Sequence, residues 1–343
     1  MFANQILDEA QYIKNHGTQA SKSVRLVQSG FRLALTGTPI ENRLSELWSI
    51  FDFLMPGFLL SYQGFKETYE EAVVQSGDPE TMDRLRRLVH PFILRRLKRD
   101  VLTELPDKLE KTISVRLTGE QRKLYDAYAQ RLKMYLAKQS PEEFKHSKLE
   151  LLRELTRLRQ LCCGPSLFLE NYKGENAKLE ICMDLIRQAM DGGHKILLFS
   201  QFTGVLDEVE KVLKKEKISS FRIDGSVSKE ERMRRVDRFA SSDVPVFCIS
   251  LKTGGTGLNL TAADIVIHYD PWWNVAAQNQ ATDRAHRIGQ EHTVTVYELI
   301  AENTIEEQIQ NLKKNKSQLV EEILSGDDIG SILINREEIL NLL

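Results

Sequence analysis

The chain has 343 residues, 41% of them hydrophobic and 28% charged, with a formal net charge of −2. At roughly 150 residues per domain that is an ordinary globular balance for two or three domains, and it excludes a protein held to nucleic acid by its global charge. The most apolar stretch, residues 47–60, is shorter than the ~18 residues of a membrane span and carries Asp52, and the first eight residues have neither the basic start nor the apolar core of a secretory signal.

In chain order, a short apolar strand ends at Ile6-Leu7 and runs into Asp8-Glu9-Ala10-Gln11. A second strand, Arg32–Leu35, stops at Thr36-Gly37-Thr38-Pro39, where Gly and Pro punctuate the backbone. From Leu44 to about Phe168 the period becomes helical, as at Leu151, Leu152, Leu155 and Leu158, with one strand-like break at Thr112–Leu117. From about Ala177, strands and helices alternate. Lys195–Ser200, Phe221–Ile223, Val246–Ser250, Ile265–Tyr269 and Val294–Leu299 read as strands, and Val205–Lys215 and Lys229–Phe239 as helices. Such alternation implies a parallel sheet whose ligands gather at the carboxyl ends of its strands. The chain closes with an amphipathic helix over Thr304–Leu324 and a short apolar tail.

The chemistry-bearing runs each admit a plain reading beside a functional one. Asp8-Glu9 at a strand end suits Mg²⁺ held through water and an oriented nucleophilic water, or a solvated loop. Thr253-Gly254-Gly255-Thr256-Gly257 can expose backbone N–H groups to an anion or simply turn, and no Lys-Ser/Thr follows it as in a phosphate loop. Gln280, Arg284 and Arg287 share a face if helical, so the two Arg form a fork for phosphate or a pair of surface ion pairs. Seven basic residues, Arg84, Arg86, Arg87, Arg95, Arg96, Lys98 and Arg99, crowd Asp83–Asp100, as a DNA-backbone surface or a solvated helix face. Trp272-Trp273 can stack on bases or pack between elements. Cys162, Cys163, Cys182 and Cys248 have no metal-ligand spacing and read as small apolar packers of a reducing interior.

The order of these runs resembles the Swi/Snf-type family of superfamily-two helicases. Asp8-Glu9-Ala10-Gln11 and LTGTPIEN at Leu35–Asn42 are similar to its motifs two and three. HPFILRRLKRDV at His90–Val101 and LRQLCCGP at Leu158–Pro165 resemble its own insertion. FSQFTGVLD at Phe199–Asp207 and IDGS at Ile223–Ser226 resemble motif four and its neighbour. SLKTGGTGLNLTAAD at Ser250–Asp264 and QNQATDRAHRIGQ at Gln278–Gln290 resemble motifs five and six. TIEEQI at Thr304–Ile309 resembles the helix that braces the second lobe.

The resemblance implies an α/β fold. A RecA-like parallel-sheet lobe of the P-loop NTPase type, the second helicase lobe, is joined to a partial first lobe and helical insertions. The implied division is 1–43 for the remnant of the first lobe, 44–168 for the helical insertion region, 169–310 for the second lobe and 311–343 for the bracing helix and tail. It implies ATP and Mg²⁺ in the cleft between lobes and double-stranded DNA tracked across both. Asp8 and Glu9 would serve Mg²⁺ and the attacking water; Gln280, Arg284 and Arg287 would reach the γ-phosphate; Thr36 and Thr38 would couple hydrolysis to movement. Gln201, Gly225, Thr253, Gly254 and Asn259 would touch or support the DNA backbone. The family's phosphate loop precedes motif two, whereas here Asp8 is the eighth residue. A missing amino-terminal motor portion is therefore the expected partner, the chain alone is expected to be inactive, and its first sheet is expected to show an unpaired edge. Two functions remain open: the carboxyl-terminal portion of an ATP-driven translocase on duplex DNA, and a non-catalytic DNA-binding or partner-docking module derived from one. The compact insertions resemble bacterial members, which implies a cytoplasmic, nucleoid-associated protein with no membrane partner.

Overall fold

The structure is a computed structural model that describes residues 2–37, 44–72, 78–140, 143–144, 147–254, 257–272 and 274–311. It falls into two compact units, one built on residues up to Arg95, the other on Arg96–Trp273 and Ala277–Asn311.

In the first unit, strands β1 (Phe2–Leu7) and β2 (Ser29–Ala34) pair in parallel, with Ile6 opposite Leu33. Helix α1 (Gln19–Leu26) makes the crossover, capped by the Thr18 hydroxyl accepting from Ser21 N–H. Side chains alternate along a strand, so the two faces differ. One is covered: Gln5 donates to the Val24 carbonyl at 2.8 Å, and Arg32 to the Phe53 carbonyl at 2.8 Å. The other carries Phe2, Ile6, Phe31 and Leu33, all exposed. Parallel sheets normally bury both faces, so this two-stranded sheet departs from the usual arrangement. Helices α2 (Leu44–Leu54) and α3 (Pro79–Val89) close a separate core around Leu47, Phe51, Phe65, Leu85 and Val89. Arg25 joins α1 to α2 through Asp52 at 3.0 Å and the Ser49 carbonyl at 2.9 Å.

The second unit begins with the single turn α4 (Lys98–Val101), then β3 (Lys108–Val115) and two long helices, α5 (Gly119–Lys138) and α6 (Lys148–Cys163). The alternation follows: α7 (Ala177–Asp191), β4 (Ile196–Ser200), α8 (Thr203–Lys215), β5 (Ser220–Ile223), α9 (Lys229–Ser241), β6 (Val246–Ser250), the single turn α10 (Leu251–Gly254), β7 (Ile265–His268), α11 (Val275–Thr282) and β8 (Val294–Ala301). The sheet is parallel throughout, in the order β3-β8-β7-β4-β6-β5. Its central strands β4, β6 and β7 are buried at every position, and apolar at all but their last residues Ser200, Ser250 and His268, because both faces are covered. Ile196, Leu198, Val246, Cys248, Ile265 and Ile267 enter the core under α7 and α8, while Leu197, Phe199, Phe247, Ile249 and Val266 enter the core under α9. At the start of α9, Ser228 caps the N–H of Glu231 at 3.3 Å.

Three expectations shift. The strand expected at Thr112–Leu117 starts earlier, at Lys108, and joins the second sheet as its edge beside β8. Its first four residues carry no strand signal because Lys108, Glu110 and Lys111 are exposed on an edge strand, where charge is tolerated. The motif-six run is helical only to Thr282, so Arg284 and Arg287 lie in turns rather than on a helix face with Gln280. The closing helix is present over 305–311, and the remainder of Thr304–Leu324 lies outside the described residues.

Candidate functional site

In the first unit the loops after β1 and β2 are stitched together. Leu35 N–H donates to the Leu7 carbonyl at 2.7 Å and Ala10 N–H to the Leu35 carbonyl at 2.9 Å. Asp8 is exposed, one of its oxygens accepting from Glu9 N–H at 2.9 Å. Glu9 sits in the left-handed region, φ 52°, a conformation that costs an L-residue about 1 kcal/mol or more unless local bonds hold it. Here they do. Gln11 Nε2 donates to Glu9 Oε2 at 2.5 Å, and Thr36 Oγ1 donates to Gln11 Oε1 at 2.7 Å. Gln11 thus wires the candidate water-orienting Glu9 to the candidate coupling residue Thr36. Among the described residues no cluster of three His, Cys, Asp or Glu forms a direct metal cage. A single exposed carboxylate at a strand end fits Mg²⁺ held mainly through water and phosphate oxygens. Thr38 lies outside the described residues.

In the second unit the expected DNA-facing residues emerge at the carboxyl ends of adjacent strands. Gln201 follows β4, Gly225 follows β5, and Thr253 and Gly254 follow β6 in α10. Strands sit ~4.8 Å apart, so these loops form one row. Gln201 is half-buried, and its amide donates to the carboxylate of Asp270. The Gly225 loop is shaped by Asp224, which accepts from Ser226 N–H at 2.9 Å, Ser226 Oγ at 2.5 Å and Arg222 Nε at 2.7 Å. The Ser226 hydroxyl, together with Arg222, holds that carboxyl below its ordinary range. Thr253 is buried, its hydroxyl donating to the Ser250 carbonyl at 3.0 Å. Asn259 is exposed.

The motif-six turn is fixed from several sides. Gln290 is buried and donates to the carbonyls of Thr261, Ala263 and Ala285 at 3.1, 2.9 and 3.1 Å. Leu260 N–H donates to the Arg284 carbonyl at 3.0 Å, so motifs five and six are laced together. Lys98 pairs with Asp283 at 2.7 Å, and His286 Nε2 lies 2.7 Å from the Pro106 carbonyl. These bonds pull the chain out of helical register after Thr282. They leave Gln280 half-buried on α11, Arg284 9% exposed, and Arg287 exposed. Arg287 makes no side-chain hydrogen bond or ion pair among the described residues.

The basic run is partly spoken for: Asp83 takes Arg86 at 3.6 Å and Arg87 at 2.6 Å, and Lys98 is taken by Asp283. Arg95 and Arg96 are exposed. Trp272 is half-buried against the sheet core, which favours packing at that position, and Trp273 lies outside the described residues.

Sequence reasoning missed the buried charges. Arg159 of α6 reaches Asp270 at 3.7 Å, and Lys178 of α7 reaches Glu306 at 2.5 Å. Lys178 also donates to the carbonyls of Tyr269 and Leu299 at 3.0 and 2.9 Å. Nothing in AKLE or LRQL distinguishes a buried cation from a solvated one. The available signal is indirect: Lys178 falls on the apolar face of its helix with Cys182 and Ile186.

Comparisons with known proteins agree with this organisation. Residues 2–167 match the SNF2-related domain and residues 177–289 the helicase conserved C-terminal domain. An uncharacterized ATP-dependent helicase of Mycoplasma genitalium is 41% identical over 98% of this chain and 32% of its own length. The ISWI chromatin-remodeling complex ATPase ISW1 of Saccharomyces cerevisiae is 35% identical over 89% of this chain and 28% of its own. The chain thus spans about a third of such relatives. Among solved structures, the Sulfolobus solfataricus SWI2/SNF2 ATPase core in complex with dsDNA is 36% identical, with a TM-score of 0.55, over 94% of this chain and 69% of that one. The Sulfolobus solfataricus SWI2/SNF2 ATPase core domain gives 35% identity and a TM-score of 0.57 over 98% of this chain and 70% of that one. With two domain matches in the order the motifs require, and a parallel α/β lobe beneath them, the chain belongs to the Swi/Snf-type family of ATP-dependent helicases.

Proposed function

We propose that these 343 residues form the carboxyl-terminal part of an ATP-driven translocase on double-stranded DNA. The observation that carries this reading is the row of loops at the carboxyl ends of β4, β5 and β6, holding Gln201, Gly225, Thr253 and Gly254. A related ATPase core has been solved with dsDNA, which supports duplex as the ligand. The row would follow the phosphate backbone, with Asn259 beside it, and contribute no base readout. In the first unit, Asp8 would hold Mg²⁺ through water and Glu9, steadied by Gln11, would orient the attacking water. ATP supplies the driving reaction. Arg287, exposed and permanently charged, would neutralise charge on the transferring phosphate, with Gln280 and Arg284 supporting it. Thr36 and Thr38 would couple hydrolysis to movement. No Gly-Lys pair occurs anywhere in the sequence, so turnover would need a phosphate loop from further polypeptide, and a nucleoid setting follows from the DNA substrate.

Duplex binding across a salt series tests the DNA half of the reading. The expected log–log slope is about −0.9 per neutralised phosphate, for a handful of phosphates, with no sequence preference. Binding indifferent to salt would refute it. Steady-state turnover tests the other half. The 343-residue polypeptide should be inert with saturating duplex. A rate of about one per second or faster, abolished by Asp8→Asn, would overturn the assignment of the phosphate loop to other polypeptide.

A further inference from the structure

The turn after β7, Tyr269-Asp270-Pro271, is gripped from two helices. Asp270 is wholly buried, and its carboxylate accepts from Ser200 Oγ at 2.5 Å, from Gln201 N–H at 3.2 Å and from the Gln201 side-chain amide. Arg159, on α6, stands 3.7 Å from that carboxylate, donates to the Pro271 carbonyl at 2.5 Å, and lies over the Phe202 ring at 5.6 Å. Lys178, on α7, holds the Tyr269 carbonyl at 3.0 Å. The two cations therefore fix the turn, and the turn fixes the loop that carries Gln201.

Burying an ion pair is a poor route to stability, because desolvation consumes most of the Coulombic gain. What the arrangement does supply is orientation. A carboxylate only accepts, so it takes the backbone N–H and a side-chain amide N–H of Gln201 and ties that loop to the turn. We propose that Asp270 is the positioning residue of the Gln201 loop and that Arg159 is the anchor through which helix α6 sets it. The proposal rests on the reading of that loop as part of the duplex-DNA surface. It makes α6 a lever: a displacement of α6 reaches the DNA-facing loop through the Arg159–Asp270 contact, with no element in between.

The sign of one substitution separates positioning from simple charge. Asp270→Asn removes a negative charge, so electrostatics alone would tighten DNA binding. Positioning requires the opposite. The measurement is fluorescence anisotropy of a labelled random-sequence duplex with the full chain. Asp270→Asn should weaken binding about tenfold, the scale of a lost charge-assisted hydrogen bond, with the salt slope unchanged. Equal or tighter binding by a folded variant overturns the proposal. Should Asp270→Asn fail to fold, Arg159→Lys retains the charge but loses the planar fork that reaches Pro271. It should weaken binding several-fold, and wild-type affinity in the folded variant overturns the proposal. Hydrogen exchange without DNA gives a second readout. In either variant the Gln201 and Phe202 amides should exchange faster while β4 stays protected, and unchanged exchange at both refutes positioning. If the unsubstituted chain shows no salt-dependent duplex binding, the DNA reading itself fails, and exchange alone then decides the positioning claim.

Discussion

The ammonium of Lys178 lies 2.5 Å from the carboxylate of Glu306, and both side chains are essentially sealed from solvent, at 0% and 1% exposure. Glu306 also accepts from Ala301 N–H at 2.8 Å, so the start of the closing helix is fastened to β8 and α7 at one point. Burial pulls the ammonium down, and the Glu306 carboxylate more than offsets it, holding Lys178 above the usual lysine range. Removing one partner strands a buried charge, whereas removing both does not. Lys178→Met or Glu306→Leu alone should cost about 3–5 kcal/mol in urea unfolding. The double substitution should recover most of that loss. Additive losses in the double-mutant cycle would show that the two residues act independently.

The contrast between these residues and the strands shows what could be read in advance. Every position of β4 and β6 is buried, and all but the closing Ser200 and Ser250 are apolar, because both sheet faces are covered, so Lys195–Ser200 and Val246–Ser250 announced themselves, and β6 was placed to the residue. Motif order located Gln201, Gly225, Thr253 and Gly254 at strand ends, because a parallel sheet exposes its loops there. What stayed hidden depends on contacts between residues far apart in sequence. Arg159 meets Asp270 across 111 positions of chain (270 − 159), and local pattern carries no trace of such a pair. The loss of helix after Thr282 was hidden for the same reason, since it follows from Gln290 reaching back to Thr261 and Ala263.

The cysteines provide a test of burial. Cys162, Cys163, Cys182 and Cys248 are all free and buried. Burial pushes every thiol up, Cys182 to about 12. The thiolate is the reactive species, so the native chain at neutral pH should resist a disulfide-exchange reagent. In denaturant all four should react rapidly. Stoichiometric labelling of any of these positions before unfolding would contradict the packing described for α6, α7 and β6.

Asp224 makes an acid-sensitive contribution. Its folded-state pKa is depressed, by the Ser226 hydroxyl and then by Arg222. The sign follows: the stabilisation is present above the ordinary value of 3.8 and is lost as pH falls below it. Asp224→Asn should therefore cost about 1–2 kcal/mol at neutral pH, measured by urea midpoint. The gap to wild type should shrink on acidification below that value. A gap that stays constant down to the acid limit would mean the carboxylate charge plays no part in holding the Gly225 loop.

Arg284 and Arg287 sit three residues apart in one turn, yet the fold treats them oppositely. Arg284 is 9% exposed and its carbonyl receives Leu260 N–H at 3.0 Å, so it is built into the lacing of motifs five and six. Arg287 stands in solvent with no side-chain partner among the described residues. A buried guanidinium and an exposed one predict different losses from the same change. Arg284→Ala should lower the stability of this chain by about 1 kcal/mol or more, through lost packing and stranded polar groups. Arg287→Ala should stay within roughly 0.5 kcal/mol of wild type, as for an ordinary surface substitution. In a longer polypeptide that turns over ATP, the order reverses for Arg287, whose removal should cost about 10³-fold in rate, the scale of an arginine finger. Duplex affinity should be unchanged there, because the residue acts on the nucleotide. Two measurements settle it: urea unfolding of both variants in this chain, and DNA-stimulated turnover in the longer one. If Arg287→Ala destabilises this chain as much as Arg284→Ala does, or leaves turnover intact, Arg287 is a structural residue and the catalytic assignment passes to Arg284 or Gln280.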